Sequence, residues 1–195
     1  MTSRHIYIRC KYAVVEYDIK KNTFHTIRDN DIQAITYDNA RLWVCTRDSL
    51  FTYNRVEDRL DYYYNLEGVR MSCVTEDSAG NLYVGTMNNG LYMIDHNKKW
   101  LNYFPKKDIT CIYEDSKKSI WVGTKDDGLF RLDRNGGITN YGTAPHQNML
   151  SSSYVRCVVE DNLGNYWIGT FKGLDKLDVT TGTLLIIVKI INRIV

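Results

Sequence analysis

The chain has 195 residues, of which 44% are apolar, and its formal net charge is +2. This length and apolar content suffice for one globular domain with a buried core. The small net charge excludes the large basic field of a nucleic-acid-binding protein, and two prolines and 13 glycines leave no low-complexity linker.

The chain opens on strand-like sequence at residues 6–10 and 14–18, in a pattern that later returns as the second and third strands of a repeat. The first repeat therefore lacks its first strand. No apolar segment typical of a signal peptide follows Met1, so we expect no export signal in the chain as given. A complete but weak repeat follows at residues 32–53.

The sequence then contains three copies of one motif, which consists of a cysteine, a Glu-Asp pair, a turn and a closing Gly-Thr. The copies occupy residues 73–86, 111–124 and 157–170, and their closing threonines lie 38 and 46 residues apart. Each copy continues into a Gly-Leu strand that ends in Asp. Periods near 40, built from apolar runs of about four to six residues, are typical of four-stranded propeller blades and not of helical repeats.

We therefore predict an all-β fold, a β-propeller of four-stranded antiparallel blades. It has four whole repeats and one partial repeat, which form an incomplete or small ring. The expected blades of this single domain span residues 1–30 (partial), 31–68, 69–107, 108–153 and 154–195.

The C-terminal segment, residues 184–195, is aliphatic and carries Lys189 and Arg193. A bilayer-spanning helix needs about 20 apolar residues, so we expect a strand and no membrane insertion. An open propeller leaves two bare blade faces, and unpaired apolar edges favour association. We expect part of residues 187–195 to pair beside residues 6–10 or to join a partner chain, with self-association through the open blade edges.

The five cysteines show no Cys-x-x-Cys or Cys/His spacing, so no zinc or other metal site is predicted. Cys73, Cys111 and Cys157 hold the same place in successive repeats. Their strands are apolar on both faces, as expected of inner blade strands packed between neighbours. We expect these thiols to be buried and reduced.

Paired carboxylates recur at residues 76–77, 114–115 and 160–161. A glycosidase uses two carboxylates across the scissile bond. A carboxylate pair that recurs at one fixed position of the repeat is better explained by an aspartate that forms a turn. The four histidines have no recurring partner, and no nucleophile, phosphate or cofactor motif is present. No catalytic residue and no cofactor is predicted.

The motif Glu-Asp-x-x-Gly-x-Tyr/Trp-Ile/Val-Gly-Thr, followed by Gly-Leu and a closing Leu-Asp, resembles the two-component regulator propeller repeat. Residues 150–182 follow the family pattern almost throughout, and the resemblance covers residues 6–182, more weakly before residue 69. It implies the sensor region of hybrid two-component system sensor kinases of carbohydrate-utilising gut bacteria. That region detects polysaccharide breakdown products and is not an enzyme.

The resemblance implies a periplasmic location, whereas the chain expressed as given is expected to remain cytoplasmic. The sequence departs from the family in having no membrane helix, kinase or DNA-binding part, and in having fewer blades than the family's usual seven. Three other readings stay open: a protein-interaction scaffold, a truncated gene remnant without independent function, and a propeller enzyme acting on glycans.

The loops of a blade alternate between two faces. Turns between the first and second strands, such as residues 77–81, are nearly uniform and define the first face. The second face carries the loops between the second and third strands and the connections between blades, including residues 106–107 and 143–150. These vary in charge and in amide content, and variable loops on a regular scaffold are where recognition usually resides.

We expect an oligosaccharide ligand at the second face, although ordinary solvated loops would look the same in sequence. The candidate ligand-binding residues are Arg47, Asp48, Asn88, Asn89, Lys125, Asp126, Asp127 and Lys172.

Overall fold

The computed structural model describes residues 5–10, 13–28, 31–142 and 150–189. These residues form strands and turns, and no helix occurs among them. The strands are β1 (His5–Arg9), β2 (Val14–Asp18), β3 (Thr23–Arg28), β4 (Ala34–Asp38), β5 (Arg41–Cys45), β6 (Ser49–Asn54), β7 (Arg59–Asn65), β8 (Met71–Glu76), β9 (Leu82–Thr86), β10 (Leu91–Ile94), β11 (Trp100–Tyr103), β12 (Ile109–Glu114), β13 (Ile120–Thr124), β14 (Leu129–Leu132), β15 (Ile138–Tyr141), β16 (Val155–Glu160), β17 (Tyr166–Thr170), β18 (Gly173–Asp178) and β19 (Thr183–Lys189).

The strands form five antiparallel sheets, which we number as blades 1 to 5 in chain order. Blade 1 has three strands in the order β1-β2-β3. Blades 2 to 5 each have four consecutive strands, the first of which lies at one edge of its sheet. The first strands β4, β8, β12 and β16 pack against one another in succession. They form the inner row of the array of five blades, which we call the fan. The all-β propeller-type fold and the partial first repeat are thereby confirmed.

The aliphatic C-terminal segment forms the outer strand of blade 5. β19 pairs with β18, with Leu184 opposite Leu177 and Val188 opposite Leu174. Residues 187–189 therefore do not pair beside residues 6–10, and that expectation is wrong for them. Residues 190–195 lie outside the described residues.

Aspartate side chains build the turns between first and second strands. The Asp77 carboxylate accepts the backbone N–H groups of Ala79 (2.9 Å) and Asn81 (2.8 Å). Asp161 repeats the pattern with Leu163 and Asn165, and its hydrogen bond from the Trp167 indole, followed by those from the turn, lowers its pKa. The prediction that the Asp of each Glu-Asp pair forms a turn is confirmed.

The glutamates of the same pairs bind the preceding blade. The Glu114 carboxylate accepts both the N–H (3.0 Å) and the hydroxyl (2.7 Å) of Ser78. Glu160 accepts the same two groups of Ser116 at 2.7 and 2.8 Å, whereas Glu76 accepts the indole N–H of Trp43 at 2.7 Å. Each glutamate thus ties its own blade to the one before it.

Glycine on the second strand lets neighbouring blades approach closely. A Cβ placed on Gly123 would lie 2.5 Å from the Sγ of Cys111 and 2.9 Å from Cγ1 of Val155, which belongs to the next blade. Gly85 is crowded in the same way by Cys73 and by Ile109 of blade 4. A methyl group at either position would force the inner strands apart.

The thiols differ in exposure along the fan. Cys45 is fully buried, whereas Cys73 and Cys111 are half-buried, less than expected. Burial of their thiols raises the pKa of both to about 12. Cys157, in contrast, is exposed, so its expected burial is wrong. The reason is its place on the outer face of blade 5, against which no described blade packs.

A matched pair of glycine substitutions tests this packing. Gly123→Ala should lower the free energy of unfolding by about 1–3 kcal/mol, because the added methyl meets both Cys111 and Val155. Gly169→Ala should cost less than about 1 kcal/mol, because the neighbouring side chain near its Cβ is that of Cys157, which can turn toward solvent. Urea denaturation of the two variants measures the difference, and equal losses would contradict the account.

Thiol labelling tests the exposure pattern. In the folded chain, Cys10 and Cys157 should react with an aromatic disulfide reagent well before Cys45, Cys73 and Cys111, since the first two are exposed. Mass spectrometry of peptides from partly labelled protein identifies the sites. Labelling in denaturant, where all five should react alike, is the control, and early modification of Cys73 or Cys111 would argue against the inner-strand packing.

Candidate functional site

The eight residues predicted from the sequence all lie in loops between second and third strands, at one end of the blades. These are the loops β5–β6, β9–β10, β13–β14 and β17–β18. Successive strands of each sheet are antiparallel, so these loops share the second face with the connections between blades. Asp48 and Asp127 are half-buried, and the other six residues are exposed.

The junction between blades 3 and 4 gathers several of these residues around Asp108. The Asp108 carboxylate accepts the backbone N–H of Asn88 at 2.5 Å and lies 3.8 Å from Nζ of Lys125. Beside it, Lys107 forms an ion pair with Asp127 at 2.7 Å. The structure therefore brings together charged groups from two blades, and Asp108, which sequence reasoning missed, is the residue that joins them.

The junction between blades 2 and 3 holds a separate part of the second face. Arg47 and Asp48 line a cleft of about 310 Å³ together with Gly68, Val69 and Arg70. This small cleft presents one carboxylate and two guanidinium groups.

Blade 5 adds an aromatic group to the second face. The rings of Tyr154 and Phe171 stack at 5.9 Å with an interplanar angle of 5°. The guanidinium of Arg156 lies 5.1 Å from the first ring and 5.5 Å from the second. Phe171 is 57% exposed and is followed in the sequence by the exposed Lys172. Of the expected connection at 143–150, only Leu150 is among the described residues.

A buried carboxyl group lies beneath this part of the second face. Asp175 is 0% exposed. Its Oδ2 accepts the N–H (2.7 Å) and hydroxyl (3.0 Å) of Ser151, whereas Oδ1 has no hydrogen-bond partner among the described residues. Burial raises the pKa of Asp175, partly offset by the two bonds from Ser151.

The first face contains a larger polar cleft, of about 640 Å³, between blades 1 and 2. Glu16, 6% exposed, pairs there with Arg55 of blade 2. Asp58 accepts the hydroxyl of Tyr53 at 2.7 Å and lies 2.8 Å from Nε2 of His25. These two contacts lower its pKa. The residues that line the cleft are His5, Glu16, Asp18, Lys20, Lys21, Thr23, His25, Tyr53, Arg55 and Asp58.

Sequence reasoning missed this cleft because its contacts join residues that lie far apart in the sequence. His25 and Asp58 are 33 positions apart, and Glu16 and Arg55 are 39 apart, so no local spacing signals the contacts. No arrangement of three or more His, Cys, Asp or Glu side chains suited to a metal ion occurs within the described part of the chain. In that same part, no helix has the length and apolar character needed to cross a bilayer.

The repeats match a known family. Residues 103–126 and 149–172 each match the family model of the two component regulator propeller. These two segments of the chain are similar to two-component regulator propeller repeats. The resemblance drawn from the Glu-Asp motif is thus confirmed at these two segments. No curated protein matches the chain significantly.

Two solved structures from B. thetaiotaomicron share the fold of these propeller repeats. The extracellular domain of the putative hybrid two component system BT3049 is 23% identical, with a TM-score of 0.79, over 98% of this chain and 28% of that one. The corresponding domain of BT4673 is 18% identical, with a TM-score of 0.77, over 100% of this chain and 27% of that one. The propeller repeats described here therefore span about a quarter of the length of these relatives.

An enzyme has a similar fold. Virginiamycin B lyase from Staphylococcus aureus is 13% identical, with a TM-score of 0.75, over 97% of this chain and 67% of that one. At these identities, the likeness to all three structures establishes the propeller fold and nothing finer.

The buried carboxyl of Asp175 generates a pH-dependent prediction. Because its folded-state pKa is raised above the unfolded value, the neutral acid is favoured in the fold, and stability is lost as pH rises through the folded pKa. Asp175→Asn should therefore melt at a higher temperature than the parent chain at pH 7, and the difference should shrink as pH falls toward about 4. Melting curves of both proteins across this range measure the effect. A less stable Asn variant at pH 7 would contradict the assignment, and Asp178→Asn, at an exposed turn whose pKa is lowered instead, is the control.

Proposed function

We propose that this chain is the ligand-sensing propeller part of a two-component signalling system. We further propose that it binds an oligosaccharide at the second face and does not transform it. The observation that carries the proposal is the contrast between two sets of loops. The turns between first and second strands repeat one aspartate motif, whereas the loops of the second face present a different set of polar groups at each blade junction.

The chemistry of the second face suits a sugar. Carboxylates and amides accept or donate hydrogen bonds to hydroxyl pairs, and the amines of Lys125 and Lys172 add donors. The exposed ring of Phe171 offers the flat apolar surface against which a pyranose stacks. The likeness to extracellular domains of hybrid two component systems supports an extracytoplasmic place of action, which we propose to be the periplasm.

Catalysis is the second candidate, and the lyase-like fold is the observation that favours it. The two functions differ in what becomes of the ligand. A sensor returns the oligosaccharide unchanged, whereas an enzyme yields new products in proportion to time. A plain interaction scaffold, the third candidate, would bind no glycan at all.

Alanine substitutions test the assignment of the face. After a glycan array or thermal-shift screen has supplied an oligosaccharide, Asn89→Ala, Asp127→Ala and Lys172→Ala should each weaken binding by about fivefold to tenfold. This is the loss expected when one hydrogen bond to a ligand is removed. Isothermal titration measures the affinities, and chromatography of the recovered glycan checks that it is unchanged.

The matched control is Asn162→Ala, an exposed substitution on a turn of the first face that should leave the affinity unaltered. If this variant lost binding and the three second-face variants did not, the ligand would lie on the first face, and the proposal would be wrong. New products that accumulate with time would replace the sensor by an enzyme.

A further inference from the structure

Aromatic rings fill the space between blades 4 and 5 beside the turns of the first face. Trp121 of β13 packs on Tyr166 of β17, with 4.3 Å between ring centroids, and on Tyr141 at 5.2 Å. Trp121 and Tyr166 are both 0% exposed. The indole N–H of Trp121 and the hydroxyl of Tyr166 donate to Oδ2 of Asp115 at 2.9 and 2.8 Å. Rings that carry a hydrogen-bond donor therefore complete this junction.

The same space between blades 3 and 4 has smaller side chains. By strand register, Tyr83 takes the position of Trp121. Ile120 takes the position of Tyr166. Within the described residues, no aromatic ring packs on Tyr83. A cleft of about 460 Å³ opens here, and its apolar lining is Tyr83, Met93, Tyr103, Ile120 and Leu132.

The carboxylate beside this cleft accepts one donor fewer than its counterpart in blade 5. There, Oδ2 of Asp161 accepts the side-chain amide of Asn165 at 3.0 Å and the indole N–H of Trp167 at 2.9 Å. In blade 3, Oδ2 of Asp77 accepts the amide of Asn81 at 2.9 Å and no second donor from the described residues. Asp77 is 7% exposed and lines the cleft. Its Oδ2 can therefore accept a donor that enters from the cleft.

The hydroxyl of Tyr83 is a second polar group beside the cleft. Tyr83 is 9% exposed, and its hydroxyl forms no hydrogen bond to any of the described residues. Burial, followed by the nearby Asp77, Tyr103 and Glu114, raises the pKa of this hydroxyl, so it stays protonated and able to donate. Because a buried hydroxyl normally has a hydrogen-bond partner, we expect its partner to enter from the cleft.

The residue that pairs with Tyr83 across the sheet also differs from its counterpart. In blade 4, Arg131 pairs with Trp121, and its guanidinium lies 5.7 Å from the centroid of that ring. In blade 3 the corresponding residue is Met93, opposite Tyr83. A thioether contacts aromatic rings favourably and carries no charge. This side of the cleft thus suits an uncharged ring.

We propose that this cleft binds a small planar aromatic molecule with an N–H or O–H donor, of the indole or phenol class. Its ring lies against Tyr83 and Ile120, where the next junction has its own pair of rings. Its donor reaches Oδ2 of Asp77, as the indole of Trp167 reaches Asp161. The site lies on the first face, apart from the loops of the second face, and is independent of the proposed glycan sensing.

An NMR titration of the whole chain with indole tests the site. Amide chemical shifts should move saturably at residues 77–83 and 132–136, which border the cleft. The second-face loops at residues 125–127 and 171–172 should not respond. No saturable shift at the first two segments, or a footprint on the second-face loops alone, would overturn the proposal.

A matched ligand distinguishes the hydrogen bond to Asp77 from general apolar attachment. The compound 1-methylindole keeps the fused ring but has no N–H. It should bind about tenfold more weakly than indole, which is the loss expected for one hydrogen bond to a carboxylate. Equal affinities of the two compounds would contradict the proposed contact.

Two substitutions should fill the cleft from within the chain. Tyr83→Trp supplies the indole that blades 2, 4 and 5 have at this position, and Ile120→Tyr supplies the ring of blade 5. Each should abolish indole binding and raise the melting temperature by about 2–4 °C, because the new ring occupies the cleft and its donor reaches Asp77. Thermal melting also shows whether each variant is folded.

The matched control is Tyr62→Trp, the same change at a residue of β7 that is 63% exposed. It should alter neither the affinity for indole nor the melting temperature. Undiminished indole binding by the folded Tyr83→Trp and Ile120→Tyr chains would refute the site. None of these measurements uses a glycan, so failure here leaves the proposed sensing function standing.

Discussion

The fold depends on how closely one inner strand can approach the blade before it. That distance is set by glycine on the second strand and by cysteine beside it. At Gly123 the space that a Cβ would fill is already shared by Cys111 of the same blade and Val155 of the next. Gly123 and Cys111 therefore leave a hollow, which we call the socket, and the branched side chain of Val155 from the following blade fills it. Gly85 makes the same close approach to Cys73 of its own blade and Ile109 of the next.

The two residues of each Glu-Asp pair contact different parts of the structure. The aspartate folds back on its own turn, while the glutamate reaches the blade before it. Asp115 joins both roles, since it accepts the Ser119 amide, the Trp121 indole and, from blade 5, the hydroxyl of Tyr166 at 2.8 Å. Asp115 is buried together with the three donors that satisfy it, which is the condition under which a buried acid stabilises a fold. The Glu-Asp pairs, which resemble the paired carboxylates of a glycosidase, thus have a structural role in these blades.

The repeat was readable from the sequence because its features are local. A period near 40, an Asp at each turn and a Gly in the second strands of blades 3 to 5 fix the strands and their order. What the sequence did not show depends on contacts between distant residues or on the ends of the fan. Cys157 holds the same position of the repeat as Cys111, yet it is exposed because its blade has no described successor. The polar cleft at Glu16 and Arg55 joins residues 39 positions apart. The second-face loops could be located by topology, but the grouping of Asn88 and Lys125 around Asp108 required coordinates.

The junctions between blades have a consequence for how such a molecule changes over generations. The serine–glutamate bond, the hydroxyl–carbonyl bond (Ser72 to Ile109, Thr110 to Val155) and the filled socket all connect adjacent blades, and the junctions between blades 3 and 4 and between blades 4 and 5 use the same three. Contacts of this kind, made only between neighbours, do not depend on the number of blades. Duplication or deletion of one whole repeat would leave the remaining interfaces chemically intact. Blade number is then free to drift by recombination, while the loops of the second face diverge independently on each copy.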